Sequence, residues 1–401
     1  MTAITDPTNA PRVALARRAA AFAPSVWTEL EVQVARHPDM IFFGGGTPAR
    51  ELIPVDRLRA ASALAWVDAP DALDYGEVPG YLPLRRLIAE RMAAQGMTVP
   101  PEQLVVTNGS QQGIDLIARL MLDPGDEIAV ESPTFLGALQ TFAAYEIGYL
   151  PIPVDADGIQ IDALERVLTE RPRPPKLLYT IPTFQNPTGS TLPRERREAL
   201  LALCRAHGVL VVEDDPYGEL RYDGDPVPPL RALDPDVVYL GTFSKTIAPG
   251  LRAGWMAAPG DLIPLIHSAK EGVDIHNERI TARTVFHAAD GFLDGHVAAA
   301  CAVYRRRRDA LLGALDAGMP AGIEWTRPEG GFFVWVTLPA GRSADELLSY
   351  AAERGVTFFP GSWFYPLQDE HRALRLCFST MPEDRLAEGI GRLSAAVRDW
   401  L

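Results

Sequence analysis

The chain has 401 residues, 47% of them hydrophobic, with 52 acidic against 38 basic side chains and a net charge of −14. That length supports one large core or a large and a small domain, and the acidic balance argues against a nucleic-acid binder, which would carry a basic face. No apolar run approaches the ~18 residues of a membrane span, the N-terminus lacks the apolar stretch of a targeting peptide, and Cys204, Cys301 and Cys377 form neither a metal spacing nor a disulfide framework; the expectation is a cytoplasmic protein with no metal and no nucleic-acid or membrane partner.

From about residue 100 short apolar runs alternate with helix-period segments. The runs are Leu104 to Val106, Ile128 to Val130, Leu177 to Ile181, Val209 to Val212, Val237 to Leu240 and Ala253 to Ala257. Several are β-branched and only four or five residues long, as buried strands are. Helices are predicted over 111–122, 135–146, 162–171 and 194–207. The alternation predicts an α/β fold with a mostly parallel sheet covered by helices on both faces. After about 260 the pattern changes to helices over 262–272, 278–290 and 296–316. Strands over Gly322 to Thr326 and Gly331 to Thr337 come next, then a helix over 383–400. This reads as a smaller α+β domain. We therefore expect a large domain over 50–290 and a small one made of 1–49 and 291–401.

Ligands of open α/β sheets bind beyond the carboxyl ends of the strands, so the residues just after each run are informative. Leu104 to Val106 leads into TNGSQQG, where Gly109 permits a tight turn and Ser110 is a good N-cap for the helix that follows. Free amides and the positive end of the dipole make an anion site there, or simply a capped helix. Leu177 to Ile181 leads into PTFQNPTG, in which Asn186-Pro187 and Gly189 mark a turn. Val209 to Val212 leads into EDDPYGEL, with three carboxylates at a strand end, Asp214 among them, and Tyr217 three residues on. Asp214 would suit a protonated ring nitrogen; a divalent metal would need converging oxygen ligands, and no second acidic cluster follows another strand.

Val237 to Leu240 leads into GTFSKTIAPGLR. Lysine is expensive to bury, so Lys245 needs a reason to stand there. A nucleotide-binding loop would read G-x-x-x-x-G-K-[ST], and the required glycines are missing. Arg252, seven residues on, has the planar fork that grips a phosphate. An anion site, an arginine, a carboxylate with a tyrosine, an amide and a lysine together are what pyridoxal 5′-phosphate requires.

TNGSQQG, QNPTG, EDDPY and GTFSKTIAPGLR, in this order and spacing, resemble the fold-type I, pyridoxal-phosphate-dependent aminotransferases of class I and II. The closer likeness is to the subgroup of 2-aminoadipate aminotransferase and kynurenine aminotransferase II. FFGGGTPARELIP, YGEVPGYLPLRR, RPEGGFFVW and RLCFS fit as well, so the likeness runs from about Ser25 to the C-terminus. The resemblance implies that Lys245 is the Schiff-base lysine and proton carrier, and that Asp214 partners the pyridinium nitrogen. Tyr217 and Asn186 would bond the cofactor's phenolic oxygen. Ser110, the Gln111 amide, Thr242, Ser244 and Arg252 would hold its phosphate. Phe135 would stack on the ring; close relatives carry tyrosine there, so a hydroxyl is lost and stacking kept. Arg375 would hold the substrate α-carboxylate, with Gly45 and Gly46 in a loop that approaches the substrate. Tyr75 would reach the phosphate of the other subunit's cofactor, which implies a homodimer with shared active sites.

One position departs from the subgroup. Where the 2-aminoadipate enzymes carry an N-terminal arginine for the distal carboxylate, the alignment places Thr28, beside Trp27. The expectation is therefore transfer from a neutral L-amino acid, aromatic or aliphatic, to a 2-oxo acid such as 2-oxoglutarate by a ping-pong route. A 2-aminoadipate-specific enzyme is one alternative. The same cofactor site would serve a β-lyase, a decarboxylase or a biosynthetic cyclase. A transcription regulator with this domain would need a DNA-binding domain ahead of it, and only ~25 residues precede the matching region.

Overall fold

In a computed structural model, which describes residues 13–22, 34, 39–67 and 69–401, a short strand β1 (Ile41–Phe42) precedes the main sheet. The sheet contains β2 (Leu104–Thr107), β3 (Glu127–Ser132), β4 (Gly148–Asp155), β5 (Gly158–Ile159), β6 (Leu177–Thr180), β7 (Leu210–Asp214), β8 (Val238–Thr242) and β9 (Gly254–Ala257). Their spatial order is β2-β9-β8-β7-β6-β3-β4-β5. β4, β3, β6, β7 and β8 run parallel, whereas β9 runs antiparallel to both β2 and β8. Every residue of β2, β6, β8 and β9 is buried, because helices cover both faces.

The antiparallel β9 sets the geometry of the ligand edge. Its start lies at the same sheet edge as the end of β8, so the segment 243–253 leaves and returns to one place. Lys245 and Arg252 are thereby kept at one edge. β2, antiparallel to β9, ends at that edge too and delivers Gly109 and Ser110.

The expected helices form within a few residues of their expected ends, among them Ser110–Met121, Leu136–Ala143, Arg194–His207, Ile263–Asp274 and Arg279–Ala289. The sequence reading missed β4, whose Pro151 and Pro153 argue against a strand. Both prolines face the same side, i and i+2, and that side carries only the two-residue pairing with β5. The Pro153 carbonyl accepts from the Gln160 amide there. The strand therefore loses donors only on its outer edge.

A second core gathers around β10 (Glu324–Trp325), β11 (Phe333–Thr337), β13 (Phe359–Pro360) and β14 (Ala373–Cys377), an antiparallel sheet in the order β10-β11-β14-β13. The helices Leu293–Gly318 and Glu383–Trp400 pack on it through Leu311, Leu315, Ile390 and Leu393. The remaining strand, β12 (Val356–Thr357), pairs with β1 in parallel, which ties residues near position 40 to this part of the chain. Among the described residues no helix is long and apolar enough to cross a membrane.

Candidate active site

A cavity of about 430 Å³ opens at the carboxyl edge of the main sheet and is closed on one side by β11, β13 and β14. Ser110, Gln111, Phe135, Asn186, Asp214, Tyr217, Thr242, Ser244, Lys245, Arg252, Arg375 and Gly46 all line it. They come from the ends of β2, β3, β6, β7 and β8, the approach to β9, the loop after β1, and β14 of the second sheet.

One end of the cavity is built for an anion. Gly109 adopts φ +79°, and a Cβ there would stand 2.6 Å from Arg252 Nη2. Only glycine lets the guanidinium lie against the start of the helix Ser110–Met121, whose first amides have no intrahelical partner. Arg252 itself takes a left-handed conformation, φ 49° and ψ 43°. Its Nη2 donates to the Asn108 carbonyl (3.1 Å) and its Nη1 to the Pro249 carbonyl (3.1 Å). The Thr242 hydroxyl lies 2.9 Å from Ser244 Oγ and accepts from the Ser244 amide at 3.1 Å. Gln111 presents its backbone here, since its side chain turns away to donate to the Gly137 carbonyl (2.8 Å).

The three carboxylates of EDDPY part company. They belong to or adjoin β7, so the side chains alternate. Glu213 faces the back of the sheet, accepts from the Leu230 and Arg231 amides (both 2.9 Å) and lies 3.8 Å from Arg197. Asp215 accepts from Tyr239 Oη (3.0 Å) and the Gly218 amide (2.8 Å), which fixes the turn carrying Tyr217. None of the three faces solvent. Asp214 alone faces the cavity. Its Oδ2 accepts from Tyr179 Oη at 2.7 Å, while its Oδ1 is buried without a partner. Such an atom costs about 1–3 kcal/mol until a donor reaches it. Burial raises the Asp214 carboxyl to about 7, with the Tyr179 hydrogen bond pulling the other way.

Lys245 points across the cavity. Its Nζ donates to the Gly46 carbonyl (2.6 Å) and stands 5.9 Å from the centre of the Tyr217 ring. Burial lowers it to about 8, and the nearby Arg375 and Arg252 charges act in the same direction. The Tyr217 ring is held edge-on by Phe332 (5.4 Å) and Phe333 (5.8 Å).

Arg375 occupies the far side. It sits on β14 opposite Phe359 of β13, and its guanidinium lies 4.1, 4.8 and 5.1 Å from the ring centres of Phe333, Phe364 and Phe359. Nη1 donates to Asn186 Oδ1 (2.9 Å), and Nη2 donates to the Gly44 (2.7 Å) and Gly45 (2.9 Å) carbonyls. Its Nε has no partner, and burial lowers the group to about 10. A guanidinium so deeply desolvated favours an incoming carboxylate strongly.

Sequence reasoning overlooked Tyr179, which fixes Asp214 from inside an apolar run. It also named Gly45 and Gly46 but not Gly44, where a Cβ would stand 2.3 Å from the Phe42 ring and 2.8 Å from Phe359. At Gly45 and Gly46 the tight neighbours are Thr380 (3.2 Å) and Phe333 (3.3 Å). Tyr75 does not line this cavity: it is 77% exposed and packs edge-on against His276 at 5.9 Å. Trp27 and Thr28 lie outside the described residues.

The model of the family "Aminotransferase class I and II" matches residues 38–393. An aromatic-amino-acid aminotransferase of Thermococcus litoralis is 42% identical over 90% of this chain and 88% of its own length. A 2-aminoadipate transaminase of Thermus thermophilus is 37% identical over 92% and 93%. The crystal structure of a Pyrococcus horikoshii kynurenine aminotransferase superposes with a TM-score of 0.91 at 38% identity, covering 96% of this chain and 97% of that one. With both ends of the cavity built as described and the match running through nearly the whole sequence, the chain belongs to the class I and II aminotransferases.

Proposed function

We propose that the cavity binds pyridoxal 5′-phosphate and that the enzyme moves the amino group of a neutral L-amino acid, aromatic or aliphatic, to a 2-oxo acid such as 2-oxoglutarate. The observation that carries this reading is the buried, unpartnered Oδ1 of Asp214 in one cavity with Lys245 and Arg375. The residues present fit the group. A protonated ring nitrogen would satisfy Asp214 Oδ1, and a cation there would hold the carboxylate ionised despite its raised pKa. The Ser110 and Gln111 amides, the Thr242 and Ser244 hydroxyls and Arg252 would take the phosphate. Phe135 would cover the ring, and Tyr217 and Asn186 would bond its phenolic oxygen.

When bound, pyridoxal phosphate supplies a carbonyl for the amine and a sink for the electron pair left at the substrate Cα. Arg375 binds the substrate α-carboxylate and, with Asn186 beside it, fixes which bond of Cα faces Lys245. Lys245 Nζ, lowered to about 8, gives up its proton far more readily than an ordinary lysine and, as the neutral amine, takes the one from Cα. The phenyl rings of Phe333, Phe359 and Phe364 keep water from this end.

The neutral preference rests on the lining. Among the described lining residues the cations are Lys245, Arg252 and Arg375, and each has a task already. Leu136 and the three phenylalanines suit an apolar side chain, and Thr47 and Gln140 remain for an acceptor's distal carboxylate. We also read Tyr75, exposed and outside its own cavity, as reaching the cofactor phosphate of a second copy in a homodimer. The large cofactor-binding domain over 50–290, the small domain of 1–49 and 291–401, and a cytoplasmic location for a chain whose three cysteines are free belong to the same reading. Steady-state kinetics with leucine, phenylalanine, methionine and 2-aminoadipate test the substrate class. Higher kcat/KM for the neutral donors is expected, and a clear preference for 2-aminoadipate would overturn it.

A further inference from the structure

Behind the anion end of the cavity, away from its lining, lies a cluster of polar side chains that the reaction does not use. Lys270, on the helix Ile263–Asp274, is fully buried. Its Nζ donates to both oxygens of Asp274 one turn later (2.7 and 2.8 Å). Asp274 Oδ2 also accepts from Asn108 Nδ2 (2.8 Å) and Gln112 Nε2 (2.7 Å). Asn108 Oδ1 accepts from Asn277 Nδ2 (2.8 Å), and the Asn108 amide donates to Gln112 Oε1 (2.8 Å). The fourth polar atom of Asn108, its carbonyl, accepts from Arg252. Asn108 is therefore held at every hydrogen-bonding atom, and it is the residue between β2 and Gly109.

The chain goes out of its way to build this cluster. Ile275, just after Asp274, has φ 63° and ψ −61°. A β-branched side chain is strained there, and such strain persists only where the surroundings impose it. The turn it makes brings Asn277, only 5% exposed, back onto Asn108. A partly buried ion pair is a poor source of stability, since the desolvation of Lys270 offsets the attraction. Its use here is geometric: it fixes one loop that carries both the helix amides and a prop for Arg252.

We propose that Lys270, Asp274, Asn277 and Gln112 are positioning residues which, through Asn108, hold the amides after Gly109 and the Arg252 guanidinium in the arrangement that binds the cofactor's phosphate. The inference rests on the pyridoxal phosphate reading. Its signature is selectivity for the phosphate leg, which a merely structural role would not show.

The test uses cofactor-depleted protein titrated with pyridoxal phosphate and with pyridoxal, which lacks the phosphate. Replacing the pair together, Lys270→Met with Asp274→Leu, leaves no unpaired buried charge, so the variant is expected to fold. Asn277→Ala removes one hydrogen bond without touching a charge and serves as the second variant. The double variant should bind pyridoxal phosphate about tenfold more weakly, or about 1.4 kcal/mol, and Asn277→Ala severalfold more weakly. Both should bind pyridoxal as the parent does and keep kcat once saturated with cofactor. If both fold and bind pyridoxal phosphate within twofold of the parent, or lose affinity for both compounds equally, the proposal is overturned. Failure of the unaltered protein to bind pyridoxal phosphate would instead sink the functional reading itself.

Discussion

The two cationic ends of the cavity are constructed on different principles. Arg252, at the anion end, is fixed by main-chain carbonyls and by the space that Gly109 leaves beside it, and its prop Asn108 is anchored to the ion pair of buried Lys270 with Asp274. Arg375, at the other end, is enclosed by three phenyl rings and keeps an unpartnered Nε. A phosphate that stays bound through turnover is met by a rigid polar frame. A carboxylate that leaves in every half-reaction is met by a desolvated cation that is stacked among phenyl rings and held by Asn186 and the Gly44 and Gly45 carbonyls, where attraction is strong because water is excluded.

Between the two ends stands Lys245, and its loss should have the largest effect. Lys245→Ala should reduce turnover about ten-thousandfold or more and abolish the visible absorbance of lysine-bound cofactor. Far-ultraviolet circular dichroism should be unchanged. Retention of that absorbance would show that another group holds the cofactor.

Next come the two arginines, whose variants should separate cleanly. Arg375→Leu places an apolar side chain among phenyl rings, so folding should survive. kcat/KM should fall about a hundredfold or more while cofactor affinity stays as it was. Arg252→Gln should do the reverse: cofactor Kd should rise about tenfold to a hundredfold, with kcat/KM at saturating cofactor nearly kept. If either variant altered both quantities alike, the division of labour between the ends would be wrong.

The smallest effect is one of pH. With Lys245 lowered to about 8, the neutral amine is scarce below that pH and abundant above it. The rate at which cofactor-depleted protein takes up pyridoxal phosphate covalently should rise with pH and level off near 8. An ordinary lysine would keep the rate rising toward 10.5. Stopped-flow absorbance across pH 6 to 10 distinguishes the two.

Much of this site was legible in the sequence, because buried strands of four or five residues announce themselves and the residues just after them must lie at the ligand edge. Lys245, Asp214 and Arg252 emerge from that reasoning, and the family resemblance supplied Arg375, Asn186 and Phe135. What it could not supply depends on facing and on distant partners. Glu213, Asp214 and Asp215 look alike in a row; only the pleat of β7 assigns one to the cavity and two to the frame. Tyr179 looks like an ordinary strand residue until its hydroxyl meets Asp214 from 35 positions away. β4 was hidden by prolines that are harmless because both face its nearly unpaired edge. The Lys270 and Asn108 cluster joins segments more than 160 residues apart, a distance at which single-sequence patterns carry no signal.

The central claim is amino-group transfer in two halves, and one measurement addresses it directly. Holoenzyme is mixed with phenylalanine or leucine in the absence of any 2-oxo acid, and the oxo acid released is quantified. The account predicts one equivalent per active site, then nothing until 2-oxoglutarate is added, when release resumes. Continued release of oxo acid, amine or ammonia without an acceptor would contradict it.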